Sequence, residues 1–203
     1  HNTGGILVFD LPDLPQQGGH HILVENNIVR NNDTENFAPE GNIVGNTPNG
    51  TGIMVMANQF VEIKNNEIKN NATAGILIAS YQDEAEDKNY NPIASNVFIH
   101  GNSLINNGFN VDKVRASPIS EVINGKVPDI IWDGVVPLTE WIGIRSSKRI
   151  ILGDNYSNSD TPVFANLKLM TKFLISYLHK VDTNYENYRG ELKSIQPVVF
   201  KKD

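Results

Sequence analysis

The chain has 203 residues, 39% hydrophobic and 20% charged, enough to bury a sizeable core in one soluble unit. A net charge of −6 with no dense basic cluster argues against a nucleic acid partner, because displacing phosphate counterions takes a basic face. Cysteine is absent, which excludes disulfides and thiol chemistry, and no run of about 18 apolar residues offers a transmembrane segment. The chain starts at His1 with no apolar leader, so a processed protein or a piece of a longer one is expected.

Strand-like stretches recur along the chain with short polar corners between them. GGILVFD (4–10), TGIMVMAN (51–58), AGILIASY (74–81) and IGIRSSK (142–148) align on Gly5, Gly52, Gly75 and Gly143, each followed by Ile. A second family follows each of these: ILVENNIVRNN (22–32), VEIKNNEIKNN (61–71), VFIHGNSLINN (97–107) and IILGDNYSNSD (150–160). Here Asn27, Asn66, Asn102 and Asn155 share a column, while Val24, Ile63, Ile99 and Leu152 form an apolar one. Three short strands of period two per repeat, with a tightest spacing of 23 residues from Gly52 to Gly75, match one coil of a solenoid. The expected fold is all-β, a right-handed parallel β-helix of about four coils.

Asparagine suits such corners because it tolerates the left-handed backbone and can hydrogen-bond to the coils above and below. The Asn column is therefore expected to be a ladder. Insertions interrupt the coils at about 10–18, 33–50, 81–95 and 108–140, and these should carry the binding surface. The coils are expected over 1–164, with 165–203 as a helical cap and tail. NLKLMTKFLISYLHKV (166–181) carries apolar residues at helical spacing, which suits a helix closing the open end of the solenoid. A helix lying on a membrane surface, with Lys168, Lys172 and Lys180 as its basic residues, is the alternative.

GILIASY, the NYNP insertion, VFIHGNSLINNG and VPDIIWDG together resemble a group of bacterial parallel β-helix repeat proteins, over residues 1–165. The resemblance implies an exported protein, periplasmic, outer-membrane-associated or extracellular. Its wider superfamily includes carbohydrate-binding proteins, polysaccharide lyases, epimerases and sugar hydrolases. A shared fold is only an analogy for function.

Outward positions on the strands hold the candidates for chemistry. Leu7, Met54, Leu77 and Arg145 form one outward row, apolar where a hydrolase would present paired carboxylates. Such a stripe needs a cover, either the insertion carrying Ile130, Ile131 and Trp132 or another chain, and Phe98 and Ile151 extend the apolar surface on the second sheet. An N-terminal coil or second chain should likewise cover the first strand edge. Glu25, Lys64 and His100 share an outward row, and Arg30 and Lys69 another; Glu62 and Glu67 are also expected to be exposed. A lyase or C5-epimerase acting on an acidic glycan would need a base, an acid and a cation, for which Tyr81, His100, Lys64 and Arg145 are the candidates. Mixed rows are equally what a solvated sheet face shows.

Ligand-binding candidates at strand ends and insertions are Asp10, Tyr81, Asp83 and Trp132. Asp83, Glu84, Glu86 and Asp87 are oxygen ligands that could take calcium, although the run lacks EF-hand spacing and also reads as a solvated charge cluster. No histidine spacing indicates zinc, and no cofactor is implied. The expected function is a non-catalytic scaffold binding carbohydrate or a protein partner through its corner loops. The alternatives are the lyase or epimerase and a structural subunit of a surface assembly.

Overall fold

The computed structural model describes residues 1–39, 41–81, 85–117, 119, 127–145, 147, 149–158 and 160–196. Its strands are β1 (Gly4–Phe9), β2 (His20–Glu25), β3 (Ile28–Arg30), β4 (Thr51–Met56), β5 (Gln59–Lys64), β6 (Glu67–Lys69), β7 (Ala74–Ala79), β8 (Ser95–His100), β9 (Ser103–Ile105), β10 (Ile130–Trp132), β11 (Ile150–Leu152) and β12 (Phe164–Asn166). They form three sheets, ordered β1-β4-β7-β10-β12, β2-β5-β8-β11 and β3-β6-β9. Every paired strand is parallel, and from β1 to β11 successive strands of the chain visit the three sheets in turn, which is compatible with a parallel β solenoid.

The core follows from the period of two. Ile6, Ile53, Ile76 and Ile130 stack in register in the first sheet, Val24, Ile63, Ile99 and Leu152 in the second, and Val29, Ile68 and Leu104 in the third. These columns meet in one buried cluster. Side chains of the intervening residues point outward.

Each Asn-Asn pair divides two tasks between its members. Asn26, Asn65, Asn31, Asn70 and Asn106 take positive φ, so the first residue of the pair turns the corner. The second builds a rung. Asn27, Asn66 and Asn102 each donate from backbone N and from Nδ2 to Oδ1 of the asparagine one coil later, Asn66, Asn102 and Asn155, at 2.9–3.0 Å. A second buried ladder runs through Asn32, Asn71 and Asn107, with Nδ2 to Oδ1 distances of 2.7 and 2.9 Å. The glycine column makes room for it. A Cβ on Gly52 would meet the Gly75 carbonyl oxygen at 2.5 Å and Asn71 Nδ2 at 2.9 Å.

One expectation is corrected and another is not confirmed. In the fourth coil the first-sheet strand is β10, not IGIRSSK: Ile130 and Trp132 continue the Ile76 and Ile78 columns, and Ile131 follows Leu77 outward. Ile144 is exposed after a one-turn helix, Leu138–Trp141, and Arg145 lies off the sheet, its N–H bonded to the Thr139 carbonyl. An arginine in that row would have faced an apolar cover. A C-terminal helical cap over the core is not confirmed. The helix is short, Leu169–Leu174, and buries only Leu169. Phe164, Tyr185 and Tyr188 close the end instead, with Tyr185 Oη accepting from Asn155 Nδ2 at 2.9 Å and donating to the Gly153 carbonyl at 2.7 Å. Three aromatic rings cover more core per residue than a turn of helix can.

Asn58 offers an internal control for the ladders. Its side chain is fully buried, yet neither amide atom is hydrogen-bonded among the described residues, because Gly19 and Ala94 occupy its column. Replacing Asn66 with Ala strands the ladder partners on both sides and is expected to cost about 3 kcal/mol, whereas Asn58→Ala should stay within about 1 kcal/mol of the parent. Urea unfolding of the two variants at a common m-value checks this difference.

Candidate functional site

The outward row of the first sheet, Leu7, Met54, Leu77, Ile131 and Ala165, is apolar from end to end. Two insertions and the segment after β12 lie over it. Ala116 and Ile119 come from the fourth insertion, Ile43 from the second, and Leu167 and Leu169 from the chain beyond β12. Between them remains a groove of about 490 Å³ over Met54, Met56, Leu77 and Ala79. Val114, Arg115 and Phe173 stand at its sides, and Ser80, Tyr81 and Asp133 contribute its polar part.

The walls are tied to each other by polar contacts. Asp112 is buried and accepts from the N–H groups of Asn49, Val114 and Arg115 at 2.9–3.1 Å. Burial opposes its charge, but these bonds and the nearby Arg115 guanidinium outweigh it and hold the carboxyl below its ordinary range. Arg115 Nε donates to the Gly45 carbonyl at 2.6 Å, joining the second and fourth insertions. Asp133 accepts from Ser80 N and Oγ, both at 2.7 Å, and from Val135 N at 3.0 Å. Burial pushes this carboxyl up in spite of those donors.

The insertions at the other corner also pack together. Asp10 is buried and accepts from Gly18 N, which closes the first insertion. Tyr90 Oη donates to the Asp10 carbonyl at 2.7 Å, and its ring meets Tyr81 edge to face at 5.6 Å. Asp13 accepts from the N–H groups of Glu86 and Asp87. Asp83 and Glu84 lie outside the described residues. Among the described residues no three His, Asp or Glu side chains gather in a geometry that could hold a metal ion.

The remaining candidates separate. Trp132 points into the core, 6% exposed, edge to face with Tyr188, so it is a packing residue. Lys64 and His100 sit side by side on the second sheet, away from Tyr81 at the end of β7 and from Arg145 beyond the one-turn helix. His20 and His21 bond to each other through their Nδ1 atoms at 2.7 Å.

Glu62 is the residue that the sequence reading placed in solvent. Its register partners are Leu23, Phe98 and Ile151, an otherwise apolar outward row, and it is 2% exposed. His100 Nε2 lies 2.8 Å from Glu62 Oε1 and Lys64 Nζ 3.6 Å from it. The C-terminal tail completes the cover: Ser194 Oγ donates at 2.7 Å and Ile195 N at 2.6 Å. Nothing in the sequence pairs positions 194 and 195 with position 62, but a lone carboxylate in an apolar row was a usable signal. Asp112, Arg115 and Asp133 were missed because their roles depend on how insertions fold.

Comparison with protein-family models, with curated proteins and with solved structures finds no match.

Burial disfavours the Glu62 carboxylate, yet bonds from His100, Ser194 and Ile195, with the charge of Lys64, hold its carboxyl below the ordinary value of 4.5. A depressed folded-state value means that its contribution is complete above the unfolded value and is lost as pH falls through the folded one. Amide exchange should therefore show Ile195 losing protection below about pH 4.5. Glu62→Gln should lower that protection about tenfold already at neutral pH.

Proposed function

We propose that the chain is a non-catalytic binding scaffold, an exported right-handed parallel β-helix of the kind its repeats resemble. The groove over the first sheet carries this reading, since it is roomy, has walls tied by polar contacts and is lined mainly by aliphatic side chains. Such a lining favours an apolar segment of a protein over a glycan. Met54, Met56, Leu77 and Ile119 provide adaptable aliphatic surface, while Tyr81 and Phe173 are its aromatic rings among the described residues. Tyr81 remains the residue of choice for a polar contact at the groove end. Calcium enters the reading only through the carboxylate oxygens of the acidic run.

The lyase or epimerase reading draws less support. Its residues Tyr81, His100, Lys64 and Arg145 occupy three separate places, and His100 and Lys64 are engaged with Glu62 beneath the tail. A further coil, from this chain or another, is the proposed cover for the edge formed by β1, β2 and β3. Asn27 Oδ1 and Asn32 Oδ1 accept no bond among the described residues, whereas every later rung does.

Ala79→Trp fills the groove without touching the ladders. Displayed peptide libraries and a glycan array, with and without calcium, should give peptide ligands whose affinity drops about tenfold in this variant while thermal unfolding is unchanged. Glycan binding that survives the substitution would remove the groove from the account. Release of unsaturated or epimerised sugar would replace the scaffold with the enzyme.

A further inference from the structure

Beside the groove, and sharing Phe173 with it, the segment after β12 leaves a second surface uncovered. Phe173, Leu174, Tyr177 and Leu178 are 62%, 50%, 86% and 57% exposed within six residues of chain. Single exposed apolar side chains are ordinary, but a run of this density marks an interaction surface. The backbone fixes it in place. Leu169 anchors the short helix in the apolar cluster, and Trp141 Nε1 donates to Thr171 Oγ1 at 3.1 Å, holding that side of the helix against its neighbour. The chain then breaks at Ile175, with φ −143°, and a tight turn at Ser176–Leu178 presents Tyr177 and Leu178.

Charge selects the occupant. From Thr161 to Val181 there are three lysines, Lys168, Lys172 and Lys180, and no Asp or Glu, in a chain whose net charge is −6. Asp182 faces Lys168 at 3.9 Å, and Glu140 is paired with Arg149. The centre of a protein interface is depleted in lysine, whereas a bilayer surface takes leucine and phenylalanine below the headgroups, tyrosine at their level and lysine against anionic phosphates. We propose that this patch docks the protein onto an anionic lipid bilayer surface, as an interfacial contact and not a span. Among the described residues no helix is long and apolar enough to cross a membrane.

Vesicles of phosphatidylcholine, alone or mixed with phosphatidylglycerol, test this by co-sedimentation. The native chain should sediment with the anionic vesicles and be released by high salt, because screening weakens the lysine contribution. A Phe173→Ser/Tyr177→Ser/Leu178→Ser variant and a Lys168→Glu/Lys172→Glu/Lys180→Glu variant should each bind about tenfold more weakly. Phe37→Ser, at an 83% exposed site elsewhere, should bind like the parent. A Tyr177→Trp variant should show a blue-shifted emission with anionic vesicles only. Failure to bind either vesicle, equal binding to neutral ones, or indifference to both patch variants overturns the proposal. So does self-association in vesicle-free solution that the serine variant abolishes, which would assign the patch to a second copy of the chain.

Discussion

The Asn66 carboxamide touches three coils at once, and the remaining architecture depends on rungs of this kind. Its Oδ1 accepts from Asn27 in the coil before, while its Nδ2 faces the carbonyls of Val24 and Lys64 and Oδ1 of Asn102 in the coil after. A corner that turns inside the core strands backbone polar groups away from water, and each one left unpaired costs about 1–3 kcal/mol. Asparagine answers this with one acceptor and two donors on a short side chain. The glycines opposite are the other half of the same solution, because a Cβ at Gly5, Gly52 or Gly75 would occupy the space of Asn32, Asn71 and Asn107. Corner, ladder and glycine column are thus one packing unit repeated along the axis.

Fixing the coils this way makes each outward row a property of the whole stack. Row by row, the covers then follow from composition. The first sheet shows Leu7, Met54, Leu77 and Ile131, so two insertions must fold onto it, and the groove is the space they leave. The second shows Leu23, Glu62, Phe98 and Ile151, so the tail crosses it and satisfies the one carboxylate. The third shows Ile28, Glu67 and Ser103 in one row and Arg30, Lys69 and Ile105 in the other, a mixed face that is exposed or half-buried, with Lys69 paired to Glu67.

This division explains what could be read in the sequence. Parallel strands in three sheets, the core columns and the ladder positions were legible because a stacked repeat writes the same residue at the same place in every coil. The fourth coil misled because IGIR copies the glycine and isoleucine of the column by chance, while Asp129 stands where that glycine would be in β10. The helical spacing after Asn166 was real for Leu169 but did not decide burial, since rings from further along the chain had already closed the core. Contacts between an insertion and a distant strand, such as Arg115 with Gly45 or Ser194 with Glu62, repeat nowhere and so left no pattern to find.

The ladder also has a direction, and its two ends are therefore chemically different. In the two buried ladders the amide-to-amide bonds run from each rung to Oδ1 of the later coil, so the last asparagine needs acceptors and the first needs donors. At the C-terminal end the chain supplies what is required: Tyr185 Oη receives Asn155, Asp182 pairs with Asn166, Gly190 N reaches the Leu152 carbonyl and Tyr156 pairs with Ser103. All three sheets are answered there by different means. A hydroxyl can serve because it both accepts and donates, whereas the opposite end presents carbonyl oxygens at Asn27 and Asn32 beside three unpaired strand edges. Donors alone would satisfy the amides without burying Ile6 and Ile22, which are only partly covered. Asparagine flanked by inward isoleucine, valine or leucine meets both demands, and those are the residues that this chain places along its own ladder.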